Sequence, residues 1–507
     1  MLLLKHFRGR GAFFNPRILS GVVLSLAAIG LGVFAWASSP IVITVNTLSD
    51  ETTPGDGLCS LREAITNAND NAQTYPECAA GSGANAITFS VSGTITLGST
   101  LPNINDDLTI DGGGQSITVS GNNSVQVLAV NTGKTLSLHN LTIVNGYSPN
   151  YGGGIYNQSG TVNVTNSTFS GNTAPGPGLI GSPGGGGGIY NNGNGATVNV
   201  THSTFSGNSA SFGGGISNNG GTVNVTQSTF SGNTASFSAG GIYNLPGSTL
   251  NVTNSTFSGN SASNTGGGIL SNGGTVNVTN GTFSGNSASN SGGGISNRIG
   301  TAKLKNTIIA NSTSGGNCFN TGGGTITADS DNLADDNTCG GATVTTSAQI
   351  NLQPLATNGG PTQTMALGPG SVAIDAGDET VCAVPPVNEF DQRGVARPFD
   401  GDSDGIAVCD TGAYEVAPPP CDNNPPNITA PSNITTEAQK KKVNGQKGAF
   451  VSFSVSAFDN EDGPVTATAN PTSGTFFPVG ITTVVVTATD HCNNCAVETF
   501  TVTVKKK

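Results

Sequence analysis

The sequence predicts an all-β protein dominated by a right-handed parallel β-helix, a solenoid with a short helical cap at its N-terminal end. Two repeated elements carry this prediction. The stretch 162–172 (VNVTNSTFSGN) recurs nearly unchanged about every 25 residues, and a Gly-Gly-Gly-Ile element such as 213–216 recurs between its copies. Runs such as 222–226 alternate apolar and polar residues, which is typical of strands with one buried face. Three short strands and three turns then make one coil.

Two positions in each repeat are expected to form continuous columns, because like residues of successive coils stack about 4.8 Å apart. The phenylalanine predicts an apolar column inside the solenoid. The asparagine three residues later predicts an inward ladder, in which each amide bonds to its neighbours and so offsets the cost of burial. The phenylalanines are Phe169, Phe205, Phe230, Phe257 and Phe283, and the asparagines are Asn172, Asn208, Asn233, Asn260 and Asn286.

Residues 1–37 have the pattern of a secretory signal peptide. Basic residues up to Arg17 precede the apolar stretch 18–37, which ends in Ala35-Trp36-Ala37. That stretch is long enough to span a bilayer, so an uncleaved N-terminal anchor is the alternative. In both cases we expect the bulk of the protein to be secreted, extracellular or at the cell surface, with no other membrane contact.

Charge excludes two classes of function. The formal net charge is −12, so the basic footprint that a nucleic-acid partner requires is missing. Residues 135–297 contain no Asp, Glu, Lys or Arg, so these coils cannot assemble the charged acid–base pair of a polysaccharide lyase or hydrolase. The titratable groups of note there, His139 and His202, are predicted to be surface side chains. We therefore expect that the protein is not an enzyme.

The segment before the repeats is predicted to cover the first coil, since an open solenoid end exposes apolar columns and unpaired strand edges. Ser60 and Glu63 have the spacing of a capping box. They predict a helix from Ser60 to about Asn71 with one apolar face. That face would be formed by Leu61, Ala64, Ile65 and Ala68.

The nine cysteines fit an oxidising compartment. Local pairing joins Cys59 to Cys78, Cys318 to Cys339 and Cys382 to Cys409. Cys421, Cys492 and Cys495 then remain, with one cysteine left over. The spacing Cys492-x-x-Cys495 also occurs in redox and zinc pairs, but no second pair accompanies it.

An acidic loop is the candidate metal site. Asp400, Asp402 and Asp404 alternate with other residues and a glycine holds the sixth position, which is the oxygen spacing of a calcium loop. The twelfth position, a glutamate in EF-hands, is threonine here. Asp410 and Glu415 are candidates to complete a different cage, and a solvated acidic turn is the alternative. Calcium is the one cofactor considered.

Two N-terminal and central stretches resemble known families. Residues 59–65 (CSLREAI) resemble the CSLREA motif at the N-terminus of bacterial exported β-helix proteins. The paired Gly-Gly-Gly-Ile and Phe-Ser-Gly-Asn elements resemble the repeats of polymorphic outer-membrane proteins. These resemblances imply export and a role as a surface adhesin.

Two C-terminal stretches resemble other families. Residues 358–362, 373–377, 391–394 and 412–415 resemble the choice-of-anchor Q domain. Residues 431–435, 477–480 and 488–490 resemble a hyalin repeat, an immunoglobulin-like β-sandwich linked to extracellular adhesion. The second resemblance implies that an immunoglobulin-like β-sandwich follows the β-helix, and that Cys421 bonds to Cys492 or Cys495.

The expected organisation follows from these segments: 1–37 signal peptide or anchor, 38–85 cap, 86–345 β-helix, 346–416 choice-of-anchor Q-like domain, 417–425 Pro-rich linker and 426–507 hyalin repeat-like domain. We expect a non-catalytic scaffold or adhesin that binds an extracellular glycan or protein ligand. One alternative is a carbohydrate-active β-helix, a polysaccharide lyase or hydrolase that uses acidic residues outside the repeats. The other is a structural matrix component without a specific ligand.

Overall fold

A computed structural model describes the chain over most of its length. The predicted signal peptide or anchor, residues 1–37, lies outside the described residues, as do residues 177–183 of the repeat region. Among the residues that are described, no helix is long and apolar enough to cross a membrane. The described ranges are 41–176, 184–402, 404–417, 423–440, 443, 445–460 and 463–507.

The described residues of 41–344 form a parallel β-solenoid, the fold that the repeats predict. Its first strand, Ile41–Val45, lies inside the segment 38–85 that was predicted as the cap. Strands of successive coils pair in parallel and in register, so that Val162 lies opposite Val198, and Val198 opposite Val223. The chain passes through four strand positions in a coil, which we call stacks 1 to 4. The fourth is a short strand beyond the three that the sequence predicts. In one coil the stacks are Ile155–Gln158, Thr161–Thr165, Thr168–Ser170 and Thr173–Ala174.

The strands of each stack are as follows. Stack 1 contains Leu128–Val130, Ile155–Gln158, Ile189–Asn192, Ile216–Asn219, Ile242–Asn244 and Cys318–Asn320. Stack 2 contains Ile41–Val45, Asn85–Phe89, Leu108–Asp111, Thr135–His139, Thr161–Thr165, Thr197–Thr201, Thr222–Thr226 and Thr325–Thr327. Stack 3 contains Gly93–Thr96, Ile117–Ser120, Leu141–Val144, Thr168–Ser170, Thr204–Ser206, Thr229–Ser231, Ile308–Ala310, Leu333–Ala334 and Thr343–Val344. Stack 4 contains Thr173–Ala174, Ser209–Phe212, Thr234–Ser238, Ser261–Ala262 and Ser287–Ala288. The long strands Thr249–Ser258, Ile269–Ser284 and Ile295–Lys305 run through more than one stack.

The predicted phenylalanine column fills the interior of the solenoid. All five rings, from Phe169 to Phe283, are fully buried. Neighbouring ring centroids lie 4.7 to 4.8 Å apart and their planes are nearly parallel. This distance is the spacing between paired strands, so the stacking follows directly from the strand register. The valines and isoleucines of the repeat belong to the same buried cluster.

The predicted asparagine ladder is also present, at the turn between stacks 3 and 4. The Nδ2 of Asn172 donates to the Oδ1 of Asn208 over 2.9 Å, and the same bond continues to Asn233, Asn260 and Asn286. Main-chain groups complete the hydrogen bonding of each amide, which removes the cost of burying it. A second buried ladder, at the end of stack 1, was not predicted. It joins Asn157, Asn191, Asn218 and Asn244.

The predicted N-terminal helix runs over Leu61–Asp70. Ser60 and Glu63 form the capping box, with the Ser60 side chain accepting from the Glu63 N–H and the Glu63 side chain accepting from the Ser60 N–H. Asn71 ends the helix in the left-handed conformation. The apolar face is buried in the same cluster as Ile43 and Ile87 of the first stack 2 strands.

Residues 346–416, which we call the side segment, pack along the outside of the solenoid. The segment contains the short helices Ser347–Ile350 and Glu379–Cys382. Gln392 is fully buried and bonds to Thr229 and Thr256 of two successive coils. Further bonds join the segment to Gln227, Asn254, Thr282 and Asn306, in the region where stack 2 passes into stack 3. This region is therefore held by the solenoid instead of standing apart from it.

The C-terminal region forms three small sheets around a core of its own. One contains Asn427–Thr429, Ser456–Asp459 and Gly463–Val465, and the second contains Ile434–Glu437, Cys495–Lys505, Gly480–Thr489 and Ala467–Asn470. Gly448–Phe450 pairs with Phe476–Pro478. The core is built mainly from aromatic and β-branched side chains, including Phe477, Val484, Val486, Phe500 and Val502.

The three local disulfides that the spacing predicts are formed: Cys59–Cys78, Cys318–Cys339 and Cys382–Cys409. Cys492 is disulfide-bonded and Cys495 carries an exposed free thiol. The proposed partner Cys421 lies outside the described residues. In the loop closed by Cys318 and Cys339, acidic side chains accept hydrogen bonds from loop groups, as Asp335 and Asp336 do from Asn317.

Candidate ligand-binding groove and acidic loop

One outward position of stack 1 carries a strip of aromatic side chains. Stack 1 strands begin with a buried inward residue, an Ile except for Leu128 and Cys318 at the two ends, so the next residue points outward. Strand register places these outward residues one above another along the solenoid. In order they are Ala129, Tyr156, Tyr190, Ser217, Tyr243, Leu270, Ser296 and Phe319.

The N-terminal part of this strip is a cluster of three tyrosines. Tyr151 stacks on Tyr190 with ring centroids 4.8 Å apart, and Tyr156 lies within 5.8 Å of both. The Tyr190 hydroxyl accepts a hydrogen bond from Asn219. Tyr190 is almost completely buried, and this burial raises the pKa of its phenol.

The C-terminal part of the strip forms a groove with a cavity of about 310 Å³. Its floor consists of Phe212, Tyr243 and Leu270, which are almost completely buried. Phe212 comes from the stack 4 strand Ser209–Phe212, two coils before Tyr243. Its ring lies 5.3 Å from that of Tyr243 and 5.1 Å from that of Phe237. Phe319, which is 39% exposed, stands at one end.

Polar side chains complete the groove. Asn264, Thr265 and Asn272 line it beside the aromatic rings. Asn272 also donates to the Tyr243 hydroxyl over 3.2 Å, which fixes the orientation of that ring. Arg298 is the charged residue among the lining side chains. The groove therefore combines ring faces with uncharged donors and acceptors.

The turn from stack 4 to stack 1 places Phe212 in the groove. This turn needs a left-handed residue, and Gly213 supplies it with φ of 64°. A Cβ on Gly213 would lie 2.3 Å from the carbonyl oxygen of Ile216, so the backbone of this coil would have to shift to accept a side chain there. In the next coil Ala239 occupies the equivalent position with φ of 65° and packs against the groove floor.

The predicted acidic loop brings together a different set of carboxylates from the expected one. Asp375, Asp400 and Asp402 each place an oxygen within 4.8 Å of the others, while Asp404 is not part of this group. The Asp404 carboxylate accepts from the Ile406 N–H instead. Asp375 accepts from the N–H groups of Gly401 and Asp402, both over 3.0 Å. Burial, with the nearby Asp402 charge, raises the pKa of Asp375.

A buried ionic cluster lies next to this loop. Asp410 and Glu415 are fully buried and the oxygens of both accept backbone N–H groups. The Arg397 Nε lies 3.6 Å from the Glu415 carboxylate, and Arg397 donates to the carbonyls of Asp410 and Gly412. Burial raises the pKa of Asp410 to about 8 and that of Glu415 to about 7. Asp410 and Glu415 therefore help to hold the side segment together, and neither belongs to the group of Asp375, Asp400 and Asp402.

The acidic loop was predicted from the sequence, but the groove was not. Asp375 is some two dozen residues before the loop in the chain, so spacing alone did not place it there. The groove had a visible signal, the tyrosine that follows the repeated Gly-Gly-Ile at Tyr156, Tyr190 and Tyr243. His139 and His202 are half-buried near the surface of the solenoid, with His202 in the left-handed turn position of Asn166.

The fold and groove define a parallel β-solenoid with a groove of aromatic and polar side chains, followed by a C-terminal β-region with a core of its own. Comparison with known families gives two matches: residues 421–504 match the HYR domain, and residues 166–192, 254–272 and 280–298 match the Chlamydia polymorphic membrane protein (Chlamydia_PMP) repeat. Comparison with curated proteins and with solved structures gave no match. The two family matches indicate a cell-surface protein of adhesion type. The resemblances of residues 59–65 and of the side segment stay predictions.

Proposed function

We propose that this protein is a non-catalytic, secreted or cell-surface scaffold and adhesin whose solenoid presents the groove to an extracellular glycan or protein ligand. The observation that carries this proposal is the groove itself, a cavity of about 310 Å³ with an aromatic floor on the outside of a rigid repeat. Aromatic side chains that remain partly exposed in a concave site are typical of binding surfaces. The HYR and polymorphic membrane repeat matches support the same class.

The carboxylates outside the repeats favour binding over cleavage. A hydrolase needs one carboxyl group that gives a proton and another that is free to act as base or nucleophile. Asp410 and Glu415 have the raised pKa of an acid but are fully buried. Asp375 accepts main-chain hydrogen bonds on both oxygens. The alternative, a polysaccharide lyase or hydrolase, predicts release of reducing or unsaturated ends that Asp402→Asn abolishes.

We infer that the two ends of the molecule have distinct tasks. The helix Leu61–Asp70 would cap the first coil, and the solenoid would be right-handed, as nearly all parallel crossover connections are. The C-terminal module would be an immunoglobulin-like sandwich that offers a second binding surface. Ile481, Val485 and Val497 support this, because they are exposed on one face of the same hairpin.

We also propose that the acidic loop binds calcium, with Asp400 and Asp402 as ligands beside Asp375. Carboxylate oxygens are the ligands that Ca²⁺ prefers, and three of them converge here. Asp404, the third residue of the sequence pattern, would act on the loop through its backbone: its N–H donates to Asp400 and Asp402.

Two measurements test the proposed adhesin function. Surface labelling of intact cells that express the full chain should modify it. The purified protein should bind target cells or matrix, and Phe319→Ala should weaken that binding at least tenfold, because the ring ends the groove. Ile299→Ala is the matched control, since Ile299 is an exposed apolar residue on a neighbouring part of the surface and does not line the groove. Equal binding by both variants, or labelling only after lysis, would contradict the proposal.

A further inference from the structure

We propose that the groove binds an uncharged polysaccharide that runs along the solenoid axis, with sugar rings packed against Phe319 and Phe237. The inference rests on the proposed adhesin function and assigns the ligand class of the same site. The groove is lined by residues of successive coils, from Phe212 to Phe319, and paired strands of successive coils lie about 4.8 Å apart, so the groove extends along the solenoid axis. A linear polymer is the ligand that matches a groove extended in one direction.

The chemistry of the lining fits a sugar. A pyranose ring has apolar C–H faces and a rim of hydroxyl groups, so it needs flat ring surfaces on one side and uncharged hydrogen-bonding groups at the edge. Phe237 is half-buried and Phe319 is exposed, so ring faces are available. Asn264 and Thr265 stand beside them with amide and hydroxyl groups that both donate and accept.

The floor is prepared for binding before the ligand arrives. Phe212 stacks on Tyr243, and the Tyr243 hydroxyl is held by Asn272 over 3.2 Å. Leu270 closes the apolar floor. Side chains that are already fixed lose little conformational entropy on binding, which favours even a weakly interacting ligand.

The scarcity of charged side chains in the groove favours an uncharged polymer over an anionic one. Residues 135–297 carry no Asp, Glu, Lys or Arg, and Arg298 is the charged side chain that lines the groove. An anionic polymer would need a row of cations to match its repeated negative charge, and the strip does not offer one. An uncharged polysaccharide is therefore the favoured occupant.

Affinity electrophoresis and calorimetry on the full chain test the assignment, with mixed-linkage β-glucan, galactomannan and dextran as uncharged probes and polygalacturonate as the acidic probe. At least one uncharged probe should bind. Phe319→Ala and Phe237→Ala should each weaken that binding at least tenfold, and Phe319→Tyr should retain it. Ile299→Ala, outside the groove, should change it less than threefold. Circular dichroism and melting of each variant separate loss of binding from loss of fold.

The outcomes distinguish this inference from the function on which it rests. Binding of polygalacturonate alone, lost in Arg298→Gln, would overturn the uncharged class. If no probe binds while cell adhesion still depends on Phe319, the ligand is a protein and the polysaccharide assignment is wrong, although the adhesin function stands. If neither probe binding nor cell adhesion depends on Phe319, both the polysaccharide assignment and the proposed adhesin function of the groove are wrong.

Discussion

The buried asparagines within the ladder, such as Asn233, act as hydrogen-bonded links between three coils. The Asn233 amide donates to the Asn260 Oδ1 and to the Phe205 carbonyl, and its own Oδ1 accepts from the main-chain and side-chain nitrogens of Asn208. All four bonds lie away from water. The ladder therefore turns a residue that is usually costly to bury into one that specifies the register of the coils.

Asn233→Ala should lower the free energy of unfolding of the solenoid by about 3 kcal/mol, because several buried groups lose their partners at once. Asn224→Ala in the same coil is the control. Asn224 belongs to an outer, half-exposed ladder with Asn199 and Asn251, where water replaces the lost bonds. Its cost should stay under about 1 kcal/mol. Chemical denaturation followed by circular dichroism measures both, and equal costs would contradict the ladder's role.

The stability of the side segment should depend on pH through Asp410 and Glu415. Their folded pKa values of about 8 and about 7 lie above the ordinary values of 3.8 and 4.5, so the folded chain binds these protons more tightly than the unfolded chain. The resulting stabilisation is complete below the ordinary values and is lost as the pH rises through about 7 to about 8. The Tm should therefore fall between about pH 5 and about pH 9.

Asp410→Asn is the matched variant for this pH dependence, because it removes one titrating group and keeps nearly the same shape. Its Tm should change less over the same interval than that of the unmodified chain. Comparing the two chains also removes the general effect of net charge on the Tm, because the substitution changes the net charge of −12 by at most one. A Tm that rises with pH in the unmodified chain would refute the assignment.

At the scale of elements, the acidic loop depends on a residue from outside itself. Asp375 fixes the loop by accepting hydrogen bonds from the main-chain N–H groups of Gly401 and Asp402. One of its carboxylate oxygens also lies within 4.8 Å of carboxylate oxygens of Asp400 and Asp402. Loop spacing alone is an incomplete description of this candidate metal site, since folding supplies the third carboxylate.

Calcium titrated into the full chain should release or absorb heat and raise the Tm. Asp402→Asn should reduce the affinity at least tenfold, because it removes a charged ligand from the group. Asp404→Asn should have a smaller effect, since the Asp404 side chain bonds to the Ile406 N–H outside the group. If calcium produces neither heat nor a thermal shift, the proposal that this loop binds calcium is wrong. If the two substitutions have equal effects, Asp404 is a ligand together with Asp400 and Asp402, as the sequence predicts.

At the scale of the whole molecule, the described chain has a long solenoid core and a smaller core in the C-terminal module. The solenoid core contains Phe230, and the C-terminal core contains Phe477, with no residue shared between the two clusters. Since each core is buried independently, we expect the two regions to unfold in separate steps.

Differential scanning calorimetry should resolve two transitions. Phe230→Ala and Phe477→Ala each remove a fully buried aromatic ring and should each cost about 3 to 5 kcal/mol. Phe230→Ala should lower the midpoint of the solenoid transition alone, and Phe477→Ala that of the C-terminal transition alone. A single transition that both substitutions lower equally would show that the two cores unfold together.

The repeat was readable from the sequence because solenoid contacts join like residues of neighbouring coils. The period alone therefore predicts that Phe205 lies between Phe169 and Phe230 and that the asparagines form a ladder, and both are found. Local chemistry likewise predicts the capping box of Ser60 and the short-range disulfides, because their partners lie close in the chain.

The positions of residues that do not follow the repeat became known only from the tertiary structure. The groove joins Phe212, Tyr243 and Phe319 from different coils, and its shape depends on a turn and on serines that break the aromatic strip. The side segment binds the solenoid through Gln392, more than 130 residues after its partner Thr256. Asp375 reaches the acidic loop in the same way. No period relates these partners, so their contacts follow from packing of the whole chain and are absent from any local pattern.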